Sequence, residues 1–155
     1  MEKSKYREMA YECLEDGENN DAIKYLLKAI EEGDAFACID MALEIKYISI
    51  DYDYTAESLE AIQPSKFGYY LDLGIELGSL DCMFYKAREQ FMGDGLIEFN
   101  TEEAKKAFIK LKELDYEPDY FDDDYSIDDY LNILKNQNIW KNVSNTNNVA
   151  LNFII

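Results

Sequence analysis

The chain has 155 residues, 33 of them acidic and 15 basic, for a formal net charge of -18. That length suits one domain with its own apolar core, and 48% apolar residues exclude a disordered chain. The negative field repels phosphate backbones and anionic lipid, so nucleic acid and membrane are not expected as partners, whereas a basic protein is attracted.

Met1 to Ala10 is charged and lacks the apolar segment of a signal peptide. No stretch reaches the roughly 18 apolar residues that span a bilayer. Cys13, Cys38 and Cys82 are widely spaced, each in an apolar helical pattern. Buried thiols in a reducing cytoplasm are the expectation.

In chain order, a first helix is expected over Ser4 to Glu15, where Tyr6, Met9, Ala10, Cys13 and Leu14 fall at helical spacing. Gly17 stops it, and Asn19-Asn20-Asp21 offers a cap for a second helix that ends at Gly33. A third starts at Asp34 and runs through Ile45. Between Tyr47 and Gln63 two readings stay open. Ile48, Ile50, Tyr52 and Tyr54 alternate with polar residues as in a strand, or a loop leads into a short helix from Thr55 to Ile62. Pro64 ends that piece. Helices follow over Ser65 to Leu77 and Ser79 to Met92. Gly93-Asp94-Gly95 makes a tight turn in which glycine permits positive φ. Thr101 is expected to cap a helix through Leu114, with Glu102 and Glu103 in its first turn. Pro118 breaks the chain, and Ser126 caps a last helix over Ile127 to Asn136. This gives a helical domain over 1–136 and a tail over 137–155. The apolar end of that tail, Val149 to Ile155, either packs back as a strand or irregular cap or stays free.

Helices joined by short glycine turns prompt a search for repeats. Ala10, Ala22 and Ala29 are small residues at the spacing needed where paired helices cross closely. The run from Asp21 to Ala37, ending Gly33-Asp34-Ala35-Phe36-Ala37, resembles the Sel-one-like repeats, a branch of the tetratricopeptide superfamily. Gly78-Ser79-Leu80-Asp81-Cys82 resembles a second, more degenerate copy of the same helix start. Gly93-Asp94-Gly95-Leu96-Ile97 resembles the family's Gly-x-Gly turn, and Glu103 to Leu114 its second helix. The two copies cover about half the chain. Residues 46–77 depart from the repeat length, as an insertion or a diverged unit. The resemblance implies an all-α fold: a right-handed superhelix of stacked helical hairpins with a short irregular or strand-like C-terminal tail. It also implies binding of peptides or proteins, because stacked hairpins make an extended curved surface.

Catalytic chemistry has little to stand on. Histidine is absent, which removes the commonest general base and metal ligand. No two cysteines lie near each other in sequence, and Gly93-Asp94-Gly95 lacks the third glycine of a phosphate loop. Asp16 to Asp21 has oxygen ligands but the wrong glycine position for a calcium loop. No enzyme activity, cofactor or metal is expected, although Asp122-Asp123-Asp124 can hold a divalent ion weakly. A carboxylate enzyme would need two acids at a fixed separation in a cleft.

One segment stands out. From Glu113 to Leu134 there is no lysine or arginine. Tyr116, Tyr120, Tyr125 and Tyr130 interleave with acids that include Asp119, Asp122, Asp123, Asp124, Asp128 and Asp129. Carboxylates pair with Lys and Arg, and tyrosine rings add apolar and cation–π contact, so these ten residues are the expected site for a basic protein partner. Asp51-Tyr52-Asp53-Tyr54 has the same character. The expected function is an acidic inhibitor, such as an immunity protein that neutralises a basic bacterial toxin. The alternative is a general peptide- or protein-binding adaptor.

Overall fold

The computed structural model describes residues 4–118 and 125–146. Among these residues there are α-helices and one 3-10 turn, and no strand. The helices are α1 (Lys5–Glu15), α2 (Asn19–Glu31), α3 (Ala35–Lys46), α4 (Ala56–Ala61), α5 (Phe67–Glu76), α6 (Leu80–Met92), α7 (Thr101–Glu113) and α8 (Ile127–Thr146). The 3-10 turn is Pro64–Lys66, so Pro64 opens the approach to α5. The strand-like alternation after Tyr47 is therefore not a strand. It is a loop that enters α4, with Thr55 as the cap.

Helix starts carry the side-chain acceptors that the first N–H groups need. Ser4 accepts from the Tyr6 N–H at 3.3 Å, Asp34 from Phe36 at 3.0 Å, and Ser79 from Cys82 at 3.1 Å. Asn100, not Thr101, caps α7, accepting from the Glu103 N–H at 3.1 Å. Asn19, Asn20 and Asp21 lie inside α2 and do not cap it; the cap position is Glu18, without a side-chain bond, and the Asn20 amide is engaged with the loop before α4. It donates to the Asp53 carbonyl at 3.1 Å and accepts from the Thr55 N–H at 3.0 Å.

Four helix ends share one left-handed turn. At Gly17 (φ 74°) the N–H donates to the Leu14 carbonyl, and the Glu18 N–H to Cys13. At Gly33 (φ 87°) the N–H donates to the Ile30 carbonyl, and the Asp34 N–H to Ala29. At Gly78 (φ 92°) the acceptors are Ile75 and Gly74. At Asp115 (φ 53°) the Asp115 and Tyr116 N–H groups reach Lys112 and Leu111. This double bond pattern satisfies orphan carbonyls and turns the chain sharply, and it favours glycine at the left-handed residue. It ends α1 inside the first hairpin as well as α2, α5 and α7. Helix α1 packs on α2, α3 on α5 and α6 on α7; α2 meets α3, α5 meets α6, and α8 closes the far end against α7. The fold is an all-α superhelical stack of helical hairpins. Helix α5 supplies the second helix of the middle hairpin, and residues 47–66 are inserted before it. Helix α8 continues to Thr146, so a boundary at residue 136 falls inside a helix. Residues 147–155, including the apolar end, lie outside the described residues.

Two apolar clusters share α6. Cys82 and Tyr85 face a first cluster with Ala10, Leu26, Ile39, Met41, Phe67 and Leu71. Phe84 and Ala87 face a second with Phe108, Leu111, Ile127 and Tyr130. Ala10, Ala22 and Ala29 are fully buried, as their spacing predicts. The closest approach is at Gly74. A Cβ there would stand 2.2 Å from the Cys82 Sγ and 3.2 Å from the Cys38 Cβ.

Buried charges are paired across helices. The Arg7 Nε donates to the Asp40 Oδ2 at 2.7 Å, and the Tyr11 hydroxyl lies 3.0 Å from both Asp40 oxygens, tying α1 to α3. The Arg7 guanidinium also covers the Phe36 ring at 4.9 Å. Lys46, in the last turn of α3, pairs with Glu89 of α6, whose carboxylate is 2% exposed.

Gly74→Ala is expected to destabilise the fold by about 1–3 kcal/mol in urea unfolding. Because the Cys82 Sγ is the nearest obstacle, Gly74→Ala combined with Cys82→Ala should cost less than the sum of the two single changes.

Candidate functional site

The acidic tyrosine segment starts at the left-handed turn after α7. Of its ten candidate residues, Asp119, Tyr120, Asp122, Asp123 and Asp124 lie outside the described residues. The other five have different roles. Tyr116 is half-buried, its ring 5.9 Å from Phe84 and its hydroxyl donating to the Asp81 carboxylate on α6. That contact holds the segment against the stack. Tyr125 is 49% exposed. Asp128 pairs with Lys112 at 2.7 Å, and both side chains are largely exposed. An ion pair of that kind adds little stability and leaves the carboxylate open to a competitor. Asp129 accepts from the Ser126 N–H at 2.8 Å while Ser126 accepts from the Asp129 N–H at 3.2 Å, a reciprocal cap that fixes the start of α8.

Tyr130 corrects the expectation. It is 1% exposed, stacked on Phe108 at 5.0 Å with an interplanar angle of 3°. Its ring also meets Phe84 and Phe91 edge-on. The helical spacing Ile127, Tyr130, Leu134 turns it inward with the other apolar residues of α8. Tyr130 therefore anchors α8 and does not present its ring to a partner. The described surface comprises Tyr125 with the exposed carboxylates Glu113, Asp115, Glu117, Asp128 and Asp129.

Tyr52 and Tyr54 belong to another hairpin. Their rings lie 4.8 Å apart and both are half-buried. The Tyr52 hydroxyl accepts from the Asn20 N–H and the Tyr54 hydroxyl from the Ser49 N–H, each at 3.3 Å. These tyrosines shape the inserted loop, and Ile48 and Ile50 before them are exposed. Ile50 is 93% exposed and Tyr47 72%. The sequence pattern gives no sign of this apolar surface, because alternation does not tell which side of the loop is covered.

A groove of about 490 Å3 runs between α5, α6 and α7, lined by Ile75, Met83, Lys86, Lys106 and Lys110. Lys86 bridges Asp72 at 2.8 Å and Glu103 at 3.3 Å across it. Burial pulls the Lys86 pKa down, but the Asp72 hydrogen bond and the charges of Asp72 and Glu103 outweigh it, for a net rise. Burial pushes the Cys38 thiol up to about 12 and the Cys82 thiol up to about 11. Both stay protonated at neutral pH, which suits packing and not nucleophilic attack. Cys13 is only half-buried. Among the described residues no three Cys, Asp and Glu side chains gather as a metal-binding set, and no helix is long and apolar enough to cross a membrane.

Compared with protein-family models, curated proteins and solved structures, the chain matches none of them.

Two measurements check this partition of roles. Tyr130→Ala is expected to cost about 3–5 kcal/mol in chemical unfolding, the range for large core aromatics. Tyr125→Ala, which removes a half-exposed ring 5.8 Å from that of Tyr130, should cost less, about 0.5–1.5 kcal/mol. A third concerns Glu44, whose pKa is raised first by burial and then by the Asp40 charge one turn away. Its folded pKa exceeds its unfolded one, so folding is penalised at neutral pH and relieved as pH falls through the folded pKa. Glu44→Gln should raise the melting temperature at pH 7, with the gain vanishing below about pH 4, where the unfolded carboxyl is also protonated.

Proposed function

We propose that the chain is a protein-binding protein that neutralises a basic partner, in the manner of a cytoplasmic immunity protein blocking a bacterial toxin domain. The observation that carries this reading is the surface where α7 meets α8. Five exposed carboxylates stand there around an exposed tyrosine, with no lysine or arginine from Glu113 to Leu134. On a chain of net charge -18 this is a strongly negative field with an aromatic contact in it. Such a field speeds encounter with a basic surface and rejects acidic ones. Carboxylates at that density also take the place of phosphates in a site built for nucleic acid. The scaffold reading is of Sel-one-like type, supported by the recurring turn at Gly33 and Gly78 and by Ala37 and Cys82 at matching buried positions.

The adaptor reading has its own support in the groove along α5, α6 and α7, whose size suits a short peptide. Partner capture from the native host at low salt separates the two. The inhibitor reading predicts a single small basic protein that moderate salt elutes, because screening weakens exposed charge contacts. It also predicts that changing Asp122, Asp123, Asp124 and Asp128 to Asn weakens capture by at least about tenfold. Several unrelated partners, indifferent to those four changes, would sink it.

A further inference from the structure

We infer that the insertion in the middle hairpin, residues 47–66, is a second docking surface, and that its occupant is an amphipathic helical segment with Lys or Arg beside its apolar stripe. Helices α1 and α2 are joined by Asp16, Gly17 and Glu18 alone, whereas α3 and α5 are separated by this whole segment. In stacked repeats, insertions of this kind gather on one face, often the binding face.

The insertion is built to hold apolar groups outward. Asn20 clamps its loop at Asp53 and Thr55, and the Tyr52 and Tyr54 rings pack under it. The outer residues Tyr47, Ile48, Ile50 and Leu59 stay exposed. Ile48 and Leu59 also line a groove of about 590 Å3, with Ile62 and Pro64 as its other apolar walls. A cluster of exposed large apolar residues on a hydrogen-bonded loop is the mark of a contact surface.

Charge decides what occupies it. From Tyr47 to Lys66 the chain carries Asp51, Asp53, Glu57 and Glu60 against one base, Lys66, at its C-terminal end. Lys46, at its edge, is engaged by Glu89. An acidic or membrane-like occupant is repelled, and a second copy of this chain would bring the same four carboxylates against them. A basic segment gains on both counts. It docks as a helix in a groove, since the described residues offer no sheet edge for a strand to extend.

This inference shares with the proposed function only the basic character of the partner, and a synthetic probe tests it separately. The probe is a fluorescein-labelled helical peptide with leucine at positions i, i+3, i+4 and i+7 and lysine on the flanks. Fluorescence anisotropy at physiological salt should show saturable binding. Ile50→Ser with Leu59→Ser should weaken it by about tenfold or more, while Asp128→Asn changes it by less than about twofold. A scrambled peptide with the same lysines should bind about tenfold more weakly. Both substituted residues are exposed, and an unchanged circular-dichroism melt verifies that the double variant is folded. The inference is overturned by absence of saturable binding, by equal binding of the scrambled peptide, or by loss of binding in Asp128→Asn instead of the insertion variant. It is also overturned if sedimentation shows a dimer that Ile50→Ser dissolves.

Discussion

Three helices converge at Gly74 with no room for one further carbon. Cys38 on α3 and Cys82 on α6 both stand against the bare Cα of α5. This contact sets how closely the middle hairpin approaches the third. It also places the two faces of α6 so that one closes the first apolar cluster and the other opens the second. The Lys46–Glu89 pair bridges the same two helices, α3 and α6, that carry those cysteines. Lys46 reaches Glu89 only because the C-terminal ends of α3 and α6 lie side by side. Pairs like this are costly to break and contribute specificity more than net stability. They align the helices at positions where apolar packing alone would tolerate sliding.

The pairing has an electrostatic consequence. Arg7, Lys46 and Lys86 are each engaged by carboxylates, two of them in buried or nearly buried pairs. Three of the fifteen basic residues are thus turned inward or neutralised locally. The acid excess remains on the outside, at the α7–α8 junction and around the inserted loop. A field of that kind governs how fast a basic partner arrives and which partners are refused, while affinity comes from buried anchors at the centre of the contact. The exposed isoleucines of the insertion supply anchors that the acidic segment, with Tyr130 buried, has in smaller measure.

Helix positions were legible because each signal is local. Periodic apolar residues, Ser126 as a cap, and Gly17, Gly33 and Gly78 as terminators all act within a turn or two of where they stand. The readings that failed needed distant partners. Asn20 was read as a helix cap, but a loop more than thirty residues on uses its amide. Tyr130 was read by the acids around it, yet Phe108 of α7 decides its place. The strand-like alternation after Tyr47 lies in a loop, and nothing local tells which of its large side chains face inward. Gly74 gave no warning either, since its role rests on cysteines from two other helices.

The central claim is that a rigid hairpin stack offers a basic protein the inserted loop and the α7–α8 junction. Hydrogen–deuterium exchange on the chain, alone and bound to the basic protein that low-salt capture recovers, tests this most directly. The account predicts added protection in residues 47–66 and 113–130, with exchange in α2 and α5 unchanged. Protection confined to the groove between α5, α6 and α7, or protection spread evenly over every helix, would contradict it.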